Sequence, residues 1–213
     1  MAIESVALPK QPQDSFPEAR FYIPATGPAT RPRRTLKHGD TFIVVDSHGD
    51  IGASAGGTDG LFHCDTRFLS HLELLLNGLQ PLLLGSNVRD DNSQLTVDLT
   101  NPDIYYDQHL VLPKDTVHVV RTIFLWRDTA YQRFAVRNYG DHAVDLRLTI
   151  LFDSDFADLF EVRGLHRTKH GAVDYAFDAA KAVLTYHGLD ARERRTALNF
   201  DPRPTELTAT SAA

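Results

Sequence analysis

At 213 residues and 23.8 kDa the chain has room for one large β domain or two small domains, with a core that removes roughly 70% of the unfolded surface from water. Hydrophobic residues at 42%, charged residues at 23% and a mean hydropathy of -0.26 exclude a chain built mainly of membrane spans. With 22 basic residues against 28 acidic, a net charge of -6 and a pI of 5.9, it lacks the footprint of a nucleic-acid binder and favours neutral or cationic partners.

Six of the 11 prolines (Pro9, Pro12, Pro17, Pro24, Pro28, Pro32) precede residue 38, so residues 1–37 read as an extended leader. Its basic run, Arg31, Arg33, Arg34 and Lys37, reads as solvated charge. The start MAIESVALPKQPQD has neither a basic n-region nor a long apolar h-region, and the single cysteine, Cys64, has no internal partner. A reducing, cytoplasmic setting without a membrane is the expectation.

From Thr41 onward apolar residues recur with period two and turn signals come at short intervals, the pattern of an antiparallel β domain. Strands are expected at Phe42 to Val45, Gln94 to Leu99, His109 to Leu112, Val117 to Trp126, Val173 to Phe177, Ala182 to Tyr186 and Arg195 to Phe200. Val117 to Trp126 carries apolar residues on both faces (Val117, Val119, Ile123 and Leu125 against Val120, Phe124 and Trp126), which predicts a central strand covered by a second layer or by a partner domain. Asn77-Gly78 suits the two positive-φ positions of a type I′ turn between LSHLELLL and LQPLLLGS, predicting a hairpin. A second hairpin is expected between Tyr131–Asn138 and the alternating run Val144, Leu146, Leu148, Ile150, Phe152, through the turn residues at 139–142. Ten to twelve strands with few helices point to an all-β fold, an antiparallel sandwich over residues 38–200, followed by a patternless, disordered tail from Asp201.

Three stretches invite a chemical reading. GDIGASAGGTDG (49–60) is glycine-rich but has no lysine and matches no nucleotide fingerprint, so a mobile surface loop is expected. LFHCDTRFLSHLE (61–73) holds His63, Cys64, Asp65, Arg67, His71 and Glu73. Successive strand residues point to opposite faces, which separates His63 from Cys64 and leaves Cys64 a small buried hydrophobe. Asp65 and Arg67, two apart, share a face and suit either an ion pair or a grip on a hydroxyl-rich ligand.

DSDFADLFEVRG (153–164) sets Asp153, Asp155, Asp158 and Glu161 within nine residues. The spacing fails as an EF-hand calcium loop. Phe156, Leu159 and Phe160 recur at helical spacing, predicting one short helical turn near 155–161 with Asp155 near its N-cap. Two carboxylates on one turn reach the same side of a ligand, whereas a glycosidase acid and its nucleophile or base must flank the bond. Asp158 and Glu161 are therefore expected to pair with Arg163 or a neighbouring domain. The histidines, including His166 and His170 in the basic stretch LHRTKHG, show no ligand spacing, so neither a metal nor a cofactor is expected.

Taken in order, GDTFIVVDSHGDI, GLFHCDTRFLS, LNGLQP, the strand ending in RNY and, above all, DFADLFEVRG resemble one family. It is the N-terminal domain of bacterial amylo-α-1,6-glucosidase-like proteins, the glycogen debranching enzymes, matched from about Thr35 to Phe200. The resemblance implies a supersandwich-like β domain ahead of a catalytic (α/α)6 barrel, a glycoside hydrolase whose acid and base lie in that barrel, so this chain reads as a part without the barrel. Asp65, Arg67, Asp158, Glu161 and Arg163 stand in the matching motifs and are the candidate contacts to sugar or to the barrel in cis, with no catalytic residue among them. The first expectation is a non-catalytic accessory domain that packs on the barrel and borders its glucan cleft. Alternatives are a free-standing binding module for α-glucans, disfavoured by the single tryptophan Trp126, and a glycosidase using Asp158 and Glu161.

Overall fold

The computed structural model describes residues 32–52 and 57–213. Most of the leader, residues 1–31, and residues 53–56 of the glycine-rich segment lie outside the described residues. The strands run β1 (Arg34–His38), β2 (Thr41–Val45), β3 (Gly60–His63), β4 (Thr66–Leu69), β5 (His71–Leu76), β6 (Leu82–Val88), β7 (Gln94–Thr100) and β8 (Ile104–Tyr106). They continue with β9 (His109–Leu112), β10 (Val117–Trp126), β11 (Thr129–Asn138) and β12 (Leu148–Asp153). The helical turn α1 (Leu159–Val162) follows, then β13 (Ala172–Phe177), β14 (Lys181–His187), β15 (Glu193–Asn199) and β16 (Ser211–Ala212).

These strands form antiparallel sheets in the orders β1-β2-β3-β4, β11-β10-β7-β6, β16-β12-β5 and β13-β14-β15, plus the β8-β9 hairpin. Alternation dictates which side of each strand is sealed: Ile43 and Val45 on β2, Leu72, Leu74 and Leu76 on β5, and Leu95, Val97 and Leu99 on β7 all point into one apolar core. Leu36 on β1 and Phe152 on β12 join it from two of the same sheets, and Ala182 and Leu184 enter it from β14 in the β13-β14-β15 sheet, giving an all-β sandwich.

β10 is central, between β11 and β7, as its sequence predicts, and among the described residues no second layer covers its outer face. Val117, Val119, Ile123 and Leu125 are buried, whereas Phe124 and Trp126 on the opposite face are exposed. The buried face also carries an arginine. Arg121 is only 1% exposed; one of its Nη atoms donates to Asp50 Oδ1 at 2.5 Å and to the His48 carbonyl at 3.1 Å, and its Nε donates to Gln132 Oε1 at 3.1 Å. Asp50, 2% exposed, also accepts the Leu74 backbone N–H at 3.2 Å, so the pair ties β10 to β5 across two sheets. The glycine-rich segment is thus anchored at its start rather than lying wholly on the surface. A Cβ on Gly49 would stand 3.0 Å from Ile123 Cδ1 and 3.2 Å from Arg121 Nε, so the backbone crosses the core face where a side chain would crowd it.

Both predicted hairpins need correction. Asn77 (φ 49) and Gly78 (φ 78) do make the tight turn, with Leu76 and Leu79 exchanging hydrogen bonds, but beyond it the strands part. β5 pairs with β12, and β6 pairs with β7. Tyr131–Asn138 pairs along its whole length with β10, and the run ending in Phe152 pairs with β5, so the turn residues at 139–142 join two different sheets. Strand pairing is decided by which apolar faces meet in the core, and a local turn signal does not carry that information.

The domain limits shift at both ends. β1 begins at Arg34 because Leu36 is fully buried opposite Ile43, and within the basic run the exposed Arg33 also donates through Nε to buried Asp59 at 2.5 Å. At the other end the stretch from Asp201 is not disordered. Ser211 and Ala212 pair with Leu151 and Ile150, Phe152 N–H donates to the Thr210 carbonyl, and Ala212 is buried. Small residues with alternating hydroxyls suffice for a short edge strand, and they leave too weak a period to read.

Two outcomes are expected from this architecture. Arg121→Met leaves Asp50 buried without its cation and should lower the unfolding free energy by about 3–5 kcal/mol in urea denaturation; a loss under about 1 kcal/mol would show that the pair does not join the sheets. In the β14–β15 turn, hydrogen bonds from the Arg194 guanidinium and the Arg192 N–H hold the Asp190 carboxyl at about 2, below its ordinary 3.8. Because the folded value is depressed, this stabilisation is present above the ordinary value and is lost as pH falls through about 2. A side-chain NMR titration of Asp190 should therefore find its midpoint well below those of unpaired surface aspartates.

Candidate functional site

The motifs singled out around residues 60–70 and 153–164 lie against each other. Arg67 N–H donates to the Ala157 carbonyl at 2.8 Å, Leu159 N–H to the Asp65 carbonyl at 2.9 Å, and Ser70 N–H to the Asp153 carbonyl at 2.9 Å. Ser154 Oγ donates to the Phe68 carbonyl at 2.7 Å. Residues 65–70 therefore run beside 153–159 and fix the start of α1.

Arg67 organises this seam. Its guanidinium makes a two-pronged bond to the Asp155 carboxylate, through Nε at 3.0 Å and through Nη2, while Nη1 donates to the carbonyls of Gly57 and Asp59 at 3.1 Å each. A forked donor matched to a planar carboxylate holds orientation as well as charge. A Cβ at Gly60 would lie 2.5 Å from Arg67 Cδ, so glycine is what lets the arginine cross β3.

The expected Asp65–Arg67 pair does not form. Asp65 has a positive φ of 64 in the turn between β3 and β4; its side chain is exposed, and among the described residues it makes no ion pair. Cys64 lies in the same turn (φ 44) and is exposed rather than buried. Because the strand has ended at His63, Cys64 Sγ comes within 3.3 Å of His63 Nε2 instead of pointing to the opposite face.

The helical turn also sits later than its predicted cap. Asp158, not Asp155, is the N-cap: its Oδ1 accepts the N–H groups of Phe160 and Glu161 at 2.9 Å each, and Glu161 Oε2 accepts the Asp158 N–H at 3.0 Å. This reciprocal capping box satisfies donors that a four-residue helix otherwise leaves open. The apolar triad that suggested helical periodicity is split by function. Phe156 has φ 50, which costs roughly 1–2 kcal/mol in an L-residue, and the cost is offset by burying its ring between Phe68 and Tyr186. Phe160 points the other way and is 66% exposed.

The four carboxylates of the segment are thereby distributed. Asp153 accepts the Tyr175 hydroxyl at 3.1 Å, and burial together with that carboxylate pushes the Tyr175 phenol above its ordinary value. Asp155 belongs to Arg67. Asp158 pairs with Arg167, and Glu161 lies 3.9 Å from Arg167 Nε and 3.5 Å from His170 Nδ1. Arg163, the predicted partner, is the exposed C-cap and takes neither carboxylate, because the chain reverses after Gly164 and brings Arg167 back over the turn. The 165–170 stretch is thus a strap over α1 rather than a free basic loop.

Between strap and seam lies a shallow cleft of about 260 Å³, bordered by Arg67, Asp155, Glu161, His166, Arg167 and Tyr186. Asp65 and Arg163 do not line it. Among the described residues no group of three or more His, Cys, Asp or Glu is placed to hold a metal ion, and no helix is long and apolar enough to cross a membrane. Planar groups with paired donors and acceptors suit vicinal hydroxyls, but each is already engaged within the protein. Of the residues expected from the sequence, Arg67 and Glu161 line this cleft and Asp158 caps the turn beside it, whereas Asp155 as the partner of Arg67 and Arg167 as the clamp on α1 were not expected.

Asp158→Ala is expected to lower stability by about 0.5–2 kcal/mol in urea denaturation, the value of a lost N-cap. Asp158→Asn keeps the cap and gives up only the half-exposed pair with Arg167, so it should recover most of that loss. Equal damage from both variants would make the ion pair, not the cap, the force that holds the turn.

Comparison with known proteins places this geometry. Residues 36–213 match the N-terminal domain of some glycogen debranching enzymes, a span that takes in the seam, α1 and the closing strand β16. No curated protein and no solved structure matches the chain. The chain belongs to the family of N-terminal domains of glycogen debranching enzymes.

Proposed function

We propose that this chain is the non-catalytic N-terminal β-sandwich of a glycogen-debranching-type glycoside hydrolase, packing on a catalytic helical barrel and bordering its glucan cleft. The observation that supports the reading is the engagement of the motif carboxylates. A glycosidase needs an acid and a second carboxylate roughly 5–10 Å apart on opposite sides of the scissile bond. Here Asp158 and Glu161 hold one another's backbone on a single turn and are clamped by Arg167, and Asp155 is held by Arg67. Groups tied in this way build a rigid rim rather than move protons. Phe160 and Leu165, exposed on either side of that rim, are suited to contact with a glucan or with the barrel wall. A reducing, cytoplasmic setting fits an exposed single cysteine.

The test uses the purified full chain and a separately expressed catalytic barrel from a debranching enzyme of this family. The chain alone should not hydrolyse an α-1,6-linked chromogenic substrate, and chain and barrel together should elute as a one-to-one complex. Turnover by the chain alone that disappears in Glu161→Gln would overturn the non-catalytic reading. Failure to form a complex at high micromolar concentration would overturn the accessory role.

A further inference from the structure

The outer face of the β11-β10-β7-β6 sheet has a composition that sandwich stability does not require. Register puts five cross-strand pairs on it: His118 with Arg137, Val120 with Ala135, Thr122 with Arg133, Phe124 with Tyr131, and Trp126 with Thr129. Phe124 and Tyr131 stack at 4.9 Å, and Trp126, 52% exposed, lies between His38 at 5.1 Å and the Arg127 guanidinium at 5.7 Å. Arg137 covers Tyr139 at 4.9 Å.

Arginines without a carboxylate partner among the described residues, also found at Arg163 and Arg203, gather on this face. The protein is acidic overall, at -6, yet Arg127, Arg133 and Arg137 have no carboxylate partner among the described residues. Asp98, on the same face, is taken by His118 at 3.0 Å, and Asp128 turns away to Thr41 and His63. Arginines on an edge strand such as β11 discourage edge-to-edge pairing. That role leaves Phe124 and Trp126, on central β10, unexplained. Exposed Trp and Tyr beside unpaired Arg is the composition of a protein interface core.

Resting on the accessory-domain reading above, we propose that this face is where the chain docks on the catalytic domain, and that the docking surface there is acidic around an apolar centre. A neutral glucan would leave the arginines unanswered. A second copy set face to face would oppose arginine to arginine.

The experiment measures affinity between the full chain and the separately expressed barrel by biolayer interferometry at low and high salt. The wild-type complex should weaken as salt rises, and Arg133→Glu/Arg137→Glu should bind about tenfold more weakly or worse with a flattened salt dependence. Lys114→Glu/Arg203→Glu, which makes the same charge change elsewhere on the surface, should bind like wild type. Tyr131→Ala removes the aromatic part without altering charge and should also weaken binding, with folding checked by circular dichroism for every variant. If wild type binds and both the arginine and Tyr131 variants bind equally well, the docking face is wrong while the accessory role stands. If wild type does not bind, the accessory role itself fails. Shifts of Trp126 and Tyr131 resonances on adding maltoheptaose, or a dimer that Arg133→Glu/Arg137→Glu dissociates, would overturn the proposal in favour of a glucan or of self-association.

Discussion

A guanidinium sealed among leucines and valines stays there only with a carboxylate beside it, and that requirement organises this sandwich. Arg121 on β10 needs Asp50, and Asp50 is brought to it by the bend that starts at Asp46, whose Oδ1 accepts the N–H groups of His48 and Asp50. Once Asp50 is in place, Ile51 bridges to Leu72, and β5 is aligned for its pairing with β12. β12 in turn delivers Asp153 and the segment that becomes the seam and α1. The buried ion pair contributes little net stability by itself, since its Coulombic gain is largely spent on desolvation. Its contribution is registry: Asp50 Oδ1 meets both the Arg121 guanidinium and the Leu74 N–H in this alignment of the two sheets, while its buried Oδ2 finds no partner among the described residues.

Much of the fold was legible in the chain because burial on one face imprints period two. Strands at His109–Leu112 and Val117–Trp126 were bounded to the residue, and most others within two. Arg121 was also visible, as a charge on the inward register between Val119 and Ile123, but a pattern search for apolar residues steps over it. What stayed hidden was partnership. Asn77-Gly78 encodes a turn but not whether its arms remain together, and nothing within twenty residues of Arg67 announces that its carboxylate lies 88 positions away in Asp155. The same limit explains Arg163: adjacency made it the obvious cation, whereas the reversal at Gly164 supplied Arg167.

The seam and the outer sheet face divide the labour of the surface. Around α1 nearly every polar group is answered internally, which gives a fixed shape and little spare hydrogen-bonding capacity. Across β10 and β11 the reverse holds, with charge and aromatic area left open. A rigid rim and an open face fit the proposed docking role.

The long reach of the seam also bears on how the molecule is made. Residues 65–70 cannot complete their hydrogen bonds until 153–159 exist, and β12 lacks its second neighbour until Ser211 and Ala212 arrive. Closing loops of that length is entropically costly before the contacts form, so topologies of this kind fold slowly. During synthesis the early strands wait with their pairing edges open, and the rim is assembled only after β12 and the strap have emerged.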